Sequence, residues 1–216
     1  MTNATYGKLT AGLIAAWFTF SLSASALHLF RTDPGRPPLP LLLAVVIPIF
    51  LFFLWYRSSM SFRDFVLSLN PQTLTIIQAW RIEGFVFLAL YTYGILPGVF
   101  ALPAGWGDIT IGVTAIIVGM KLANPSHRNS FILWQWLGIT DLVAAVGLGG
   151  MAGFIGPQGL TNPITTAPNL VLPLSLIPTF GVPLFLILHI ICIAQAKRWP
   201  KQTYSGVGAR AGLFAA

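Results

Sequence analysis

Apolar residues fall in long runs along this chain, separated by short polar or glycine- and proline-rich breaks. A helix that crosses a bilayer needs roughly 20 mostly apolar residues. Six runs meet that length: about Leu9 to Phe30, Leu39 to Tyr56, Leu74 to Leu96, Ala104 to Leu122, Phe131 to Met151, and Leu170 to Ala196. The pattern predicts an all-α integral membrane protein, a six-helix transmembrane bundle in which residues 1–216 form one transmembrane domain. Between the second and third runs, Met60, Phe62, Phe65, Val66 and Leu69 share one helical face, with Arg63 and Asp64 opposite. That segment, Ser58 to Asn70, predicts a short helix lying in the membrane interface. Asn70-Pro71 ends it and starts the third span.

Two runs have competing readings. Lys8, the first apolar run and Ala24-Ser25-Ala26 have the outline of a signal peptide with its cleavage site. The apolar character continues through Leu27, Leu29 and Phe30, which favours a retained helix. The stretch before the last span carries Gly156-Pro157, Asn162-Pro163, Ala167-Pro168, Pro173, Pro178 and Pro183. Prolines five residues apart turn by about 500° and cannot share a helical face, and each removes a backbone donor. The sixth span is therefore kinked, or partly re-entrant before Pro183. From Pro183 onward about fourteen residues of helix span roughly 21 Å, short of the hydrocarbon core.

Composition sharpens the class. Only 8% of the 216 residues are charged and 56% are hydrophobic, against about 25% charged in a soluble domain. Too few charges remain to cover a water-facing surface, so lipid is the first partner and a separate catalytic module is not expected. The net charge of +7 is distributed by loop. With the N-terminus inside, the inner segments hold Lys8, Arg57, Arg63, Lys121, Arg128, Lys197, Arg198, Lys201 and Arg210, and the outer loops only Arg31 and Arg36. This bias places both termini in the cytoplasm. Basic residues do not interleave with exposed aromatics, which argues against nucleic acid as a partner. The one cysteine, Cys192, lies within an apolar run and reads as a small hydrophobe.

Ionisable residues at membrane depth are costly and mark candidate sites. Five qualify as ligand- or proton-binding residues: Asp141, Asp108, Arg81, Glu83 and His189. Asp141 lies near the middle of the fifth run, and Ala145, Gly149 and Gly153 continue its face as a small-residue stripe that admits a neighbouring helix. Asp108, Gly112, Ala115 and Gly119 form a similar face on the fourth run, so these two helices are expected to pack together. Asp108 has a second reading as the N-cap of a shorter helix of about fourteen residues. It would then lie near the outer edge, at a different depth from Asp141, which speaks against a proton-sharing dyad. Arg81 and Glu83, two positions apart, point to different sides of the third span; Arg81 is expected to pair with Asp141. His189 reads first as a packed, hydrogen-bonded side chain. His28 and His189 lie at different depths and do not suit a haem between them. No metal, cofactor or nucleophile pattern of the His-Glu-x-x-His, Cys-x-x-Cys or Gly-x-Ser-x-Gly kind occurs, so neither catalytic residues nor a cofactor are assigned.

The stretch from Arg81-Ile-Glu-Gly84 through Leu96-Pro-Gly-Val-Phe-Ala-Leu-Pro-Ala-Gly-Trp-Gly-Asp108, and Leu176-Ile-Pro-Thr-Phe-Gly-Val-Pro183 followed by His189, resemble motifs of short bacterial multi-span hypothetical membrane proteins. That resemblance implies a bacterial inner-membrane location and no particular reaction. Three functions stay open. The buried charges and broken outer helix ends favour small-solute or proton-coupled transport. Short loops and small-residue faces suit a structural or accessory subunit of a membrane complex, or a homo-oligomer. Trp106, Trp134 and Trp136 suit an apolar pocket of a membrane-embedded enzyme acting on a lipid or quinone.

Overall fold

The computed structural model describes residues 3–33, 36–154 and 164–200, and every regular element among them is helical. Gly156-Pro157, Asn162-Pro163, Lys201 and Arg210 lie outside the described residues. The elements are α1 (Asn3–Ala26), α2 (Leu39–Ser58), α3 (Met60–Ser68), α4 (Pro71–Ile77), a 3₁₀ stretch (Gln78–Gly84), α5 (Phe85–Thr92), α6 (Gly98–Lys121), α7 (Arg128–Phe154) and α8 (Val182–Lys197). Six segments are long and apolar enough to cross a membrane: α1, α2, Pro71–Thr92, α6, Pro125–Gly153 and Ile177–Lys197. The protein is an all-α six-helix membrane bundle.

Local chemistry sets the ends of these spans. Asn70 caps α4 by accepting from the backbone N–H groups of Gln72 (2.8 Å) and Thr73 (3.4 Å), with Pro71 at the first helical position, where no donor is needed. The third span ends where Gly94 takes a positive φ of 66° and the chain turns back, Ile95 N–H bonding Leu90 O at 2.9 Å. α1 stops at Ala26, four residues short of the predicted end at Phe30. His28 turns the chain at φ 60° and Phe30 folds back into a buried position.

The last span departs most from a straight helix. Ala167–Leu170 is a 3₁₀ turn, Ile177–Gly181 is a wide π turn carrying Pro178, and α8 begins with Pro183 in its first turn. Regular α-helix therefore begins only at Val182, and α8 alone extends about 24 Å. The π turn completes the crossing, as the proline spacing requires.

α8 is the most enclosed helix. It packs against α7, α2, α4 and α3, and buries Val182, Phe185, Leu186, Leu188, Ile191 and Cys192. α1 and α2 lie outermost; Val45 is the one buried residue of α2. The short helix α3 buries Phe62, Phe65 and Val66 against the bundle, with Tyr6 and Trp55 stacked on them, and leaves Met60 exposed. Gln195 of α8 donates to the carbonyls of Val66, Leu67 and Leu69 (2.8–3.4 Å), closing the open C-terminal end of α3.

Glycines set the closest helix contact, between α6 and the third span. Gly84 and Gly105 face each other, a Cβ on either standing 3.0 Å from the other's carbonyl oxygen. A Cβ on Gly112 would lie 3.0 Å from the Arg81 carbonyl carbon, and one on Gly119 3.2 Å from Gln72 O. α6 and α7 pack together as expected, but the small face of α6 packs on the third span. α7 meets α6 through a different side, on which Gly149 lies against Phe100.

Gly112→Ala pushes backbone against backbone, and it is expected to destabilise the detergent-solubilised protein by about 1–3 kcal/mol. Gly147→Ala, at a position with open space around it, is expected to change stability by less than about 0.5 kcal/mol. Reversible unfolding monitored by tryptophan fluorescence separates the two; equal losses would mean that the α6 contact is looser than described.

Candidate functional site

Tight winding in the middle of the third span creates the site. A 3₁₀ helix has three residues per turn, so side chains at i, i+3 and i+6 stack on one line. Gln78, Arg81 and Gly84 have that spacing, and they are the buried residues of the stretch. Trp80 and Glu83, also three apart, fall on another line that faces outward. There the Trp80 indole N–H donates to Glu83 Oε2 at 2.8 Å. The winding thus sends Arg81 inward and Glu83 outward.

Arg81 is 1% exposed and bonded on all three guanidinium nitrogens. Nε donates to Asp108 Oδ1 of α6 at 2.7 Å. Nη2 donates to Asp141 Oδ2 of α7. Nη1 reaches the carbonyl of Gly138 (3.4 Å) and Nε2 of His189 (3.3 Å). One cation thereby ties the third span to α6, α7 and α8. A charge removed from water is tolerated only when paired and hydrogen-bonded in this way.

From His189 the bonds continue away from the carboxylates. A guanidinium only donates, so His189 Nε2 accepts, and its Nδ1–H donates to Gln135 Oε1. Gln135 Nε2 donates to Thr75 Oγ1 at 3.2 Å, and the Thr75 hydroxyl donates to Pro71 O at 2.8 Å. Beside this chain Gln78 Nε2 donates to Phe185 O at 3.2 Å, and Cys192 Sγ lies 3.8 Å from Thr75 Oγ1. His189, Gln135 and Thr75 are all fully buried. Each bond has one donor and one acceptor, so the polar row crosses the apolar interior without an orphan along its length.

Glycines again leave the room. A side chain on Gly107 would occupy the position of the Asp141 carboxylate, and one on Gly138 would run into the His189 ring. On the far side of the cluster from His189, a cavity of about 540 Å³ reaches Asp108. Its walls are mostly apolar, including Val45, Phe87, Phe100, Leu142 and Val146, and its mouth lies among Thr32, Asp33, Arg36, Pro38 and residues 165–170. A pocket of this size suits a small molecule. Asp108 Oδ1 is held by Arg81, and among the described residues no hydrogen bond engages Oδ2.

Of the five residues singled out from the sequence, Arg81, Asp108, Asp141 and His189 converge, and the Arg81–Asp141 pair forms as expected. Glu83 does not join them. The placement of Asp108 is corrected. α6 begins at Gly98 and continues through Pro103, so Asp108 lies about three turns inside the helix and is not its cap. Both aspartates therefore sit at the level of one guanidinium, and the difference in depth argued from the sequence does not exist. That same guanidinium bonds each of them, and the two are not bonded to each other. The three tryptophans do not converge either: Trp106 and Trp136 are exposed, and Trp134 donates to Thr114 Oγ1 (3.0 Å), its ring 5.6 Å from that of His189. Gln135, Thr75, Gln78 and Asn169 carry no charge and so do not stand out among the ionisable candidates of the sequence. An amide or hydroxyl within an apolar run was the available signal. Among the described residues no three His, Cys, Asp or Glu side chains gather as a metal site.

A family model, Domain of unknown function (DUF8737), matches residues 37–196. The match takes in α2 to α8, every residue of the cluster and both motif stretches, and leaves α1 outside. No curated protein and no solved structure matches the chain.

Arg81→Gln leaves two buried carboxylates without their cation and is expected to cost about 3–5 kcal/mol. Adding Asp108→Asn and Asp141→Asn to it removes the stranded charges, and at least half of the loss is expected to return. The check is the thermal midpoint of the three proteins in one detergent; a triple variant no more stable than Arg81→Gln would deny that charge balance holds the cluster.

Proposed function

This chain belongs to the family Domain of unknown function (DUF8737), and we propose that it is a small-solute transporter of the bacterial inner membrane. The observation that carries this reading is the cavity of about 540 Å³ whose inner end is Asp108, one member of the Arg81–Asp108–Asp141 cluster. A solute or a proton arriving through the cavity meets a carboxylate that also holds the cation joining four spans. Occupying that carboxylate changes what Arg81 is bonded to, and so couples the cavity to helix packing. Beyond the cluster the path is closed by Trp134, Gln135 and His189, all buried. A cavity open to one side and closed on the other by a bonded gate is the arrangement that alternating access requires.

The charges support a direction. Among the described residues Lys8, Arg57, Arg63, Lys121, Arg128, Lys197 and Arg198 lie at the end away from the mouth, and only Arg31 and Arg36 lie at the mouth's end. By the positive-inside rule the termini are cytoplasmic and the cavity opens outward. A second reading, as an accessory subunit of a membrane complex, is favoured by Glu83, which is part-exposed on the outer surface with the Trp80 indole as its hydrogen-bond partner. A partner subunit would cover it.

Two measurements test these readings. Liposomes holding the purified chain, incubated with a small-molecule extract of the host cell and washed, are expected to retain at least one solute above protein-free liposomes. Asp108→Asn vesicles are expected to lose that excess. Identical contents in all vesicles, determined by mass spectrometry, would remove the transport reading. For orientation, Val146→Cys in the cavity wall is expected to react with a membrane-impermeant maleimide on intact spheroplasts; Leu122→Cys, at the opposite end, is expected to react only after lysis.

A further inference from the structure

Resting on the transport reading, we propose that the solute is a small organic cation, an ammonium group carried on an apolar body. The cluster holds two carboxyl groups and one guanidinium, so with both carboxyls ionised one negative charge has no counterion. Asp108 is 7% exposed and lines the cavity, with Oδ2 unengaged. Nearer the mouth, Asn169 lines the same cavity, 8% exposed and with no hydrogen-bond partner for its Oδ1. An ammonium group supplies Asp108 with both a donor and the missing charge.

The alternatives fit less well. An anion in the cavity would stand beside Asp108, and Arg81 has only one N–H, the second on Nη2, left to offer it. The other guanidinium of the lining, Arg36, sits at the mouth, mostly exposed and 3.8 Å from Asp33. A neutral solute would leave the excess charge as it is. The remaining lining is apolar, and it includes the edge-to-face pair Phe87 and Phe100, with ring centroids 5.2 Å apart. Aromatic rings accept a cation and its hydrocarbon body, and repel an anion. The lining therefore selects charge at its inner end and hydrophobicity along its length.

The test uses the full chain in nanodiscs and three probes that share one ring and differ in charge: 2-phenylethylamine, 2-phenylethanol and 3-phenylpropionate. Isothermal titration is expected to show the amine binding at least tenfold more tightly than the alcohol, and the propionate not binding. Asp108→Asn is expected to bring the amine down to the level of the alcohol. Asp108→Glu retains the charge and is expected to keep the preference, which separates loss of charge from loss of fold. Propionate binding, no binding by any probe, or an amine preference that survives Asp108→Asn would each overturn the proposal. These outcomes are independent of vesicle uptake. Accumulation of an anion or a neutral solute would sink the cation and leave transport standing, whereas amine binding without uptake of any solute would do the reverse.

Discussion

A guanidinium held at membrane depth must find an acceptor for each nitrogen, because neither water nor lipid will supply one. Much of this bundle follows from meeting that demand for Arg81. Its acceptors come from three other spans: Asp108 on α6, Asp141 and Gly138 on α7, and His189 on α8. These helices can come close enough only because Gly107 and Gly138 leave room for a carboxylate and an imidazole, and Gly84, Gly105 and Gly112 let backbones touch. With apolar side chains on one side and apolar lipid on the other, hydrophobic burial does little to choose between helix arrangements. Close packing and a cation with four of its five N–H groups bonded do that instead.

The part of the fold legible in the sequence was the part that depends on run length and on charge. Six apolar runs, the short amphipathic segment over Phe62, Phe65 and Val66, and the start at Asn70-Pro71 needed only local patterns. The Arg81–Asp141 pairing was readable because few partners exist for a cation so deep. Asp108 lies deeper than a span starting at Ala104 would put it, because α6 starts at Gly98 and runs through Pro103, its sixth residue. The stripe of Asp108, Gly112, Ala115 and Gly119 announced a close neighbour but not which one. A small-residue face carries no identity, and it was the third span that used it. The 3₁₀ winding had no local signature at all. Only the burial of Gln78, Arg81 and Gly84 in a three-residue period exposes it.

The cluster also divides the molecule into unlike halves. On one side is a roomy, largely apolar cavity; on the other, a filled core crossed by the single row His189, Gln135 and Thr75. The filled half is anchored at its end by Gln195 on α3 and by Arg128, whose Nε donates to Ala196 O at 2.9 Å. The open half is bounded by irregular turns rich in proline and glycine. Firm packing and loose boundary thus meet at one layer of polar side chains; α1, which lies outside the family match, lines no part of the cavity and joins the filled half through Tyr6.

The 3₁₀ stretch has a mechanical consequence. Seven residues wound at about 2.0 Å per residue are roughly 3.5 Å longer than the same seven wound as α-helix at about 1.5 Å. Each α-helical residue also turns by about 100° where a 3₁₀ residue turns by about 120°, so a change of winding across Gln78, Arg81 and Gly84 rotates the ends of that line relative to each other by roughly 120°. Length and rotation of the third span are therefore one variable, and the bonds of Arg81 are the latch that sets it.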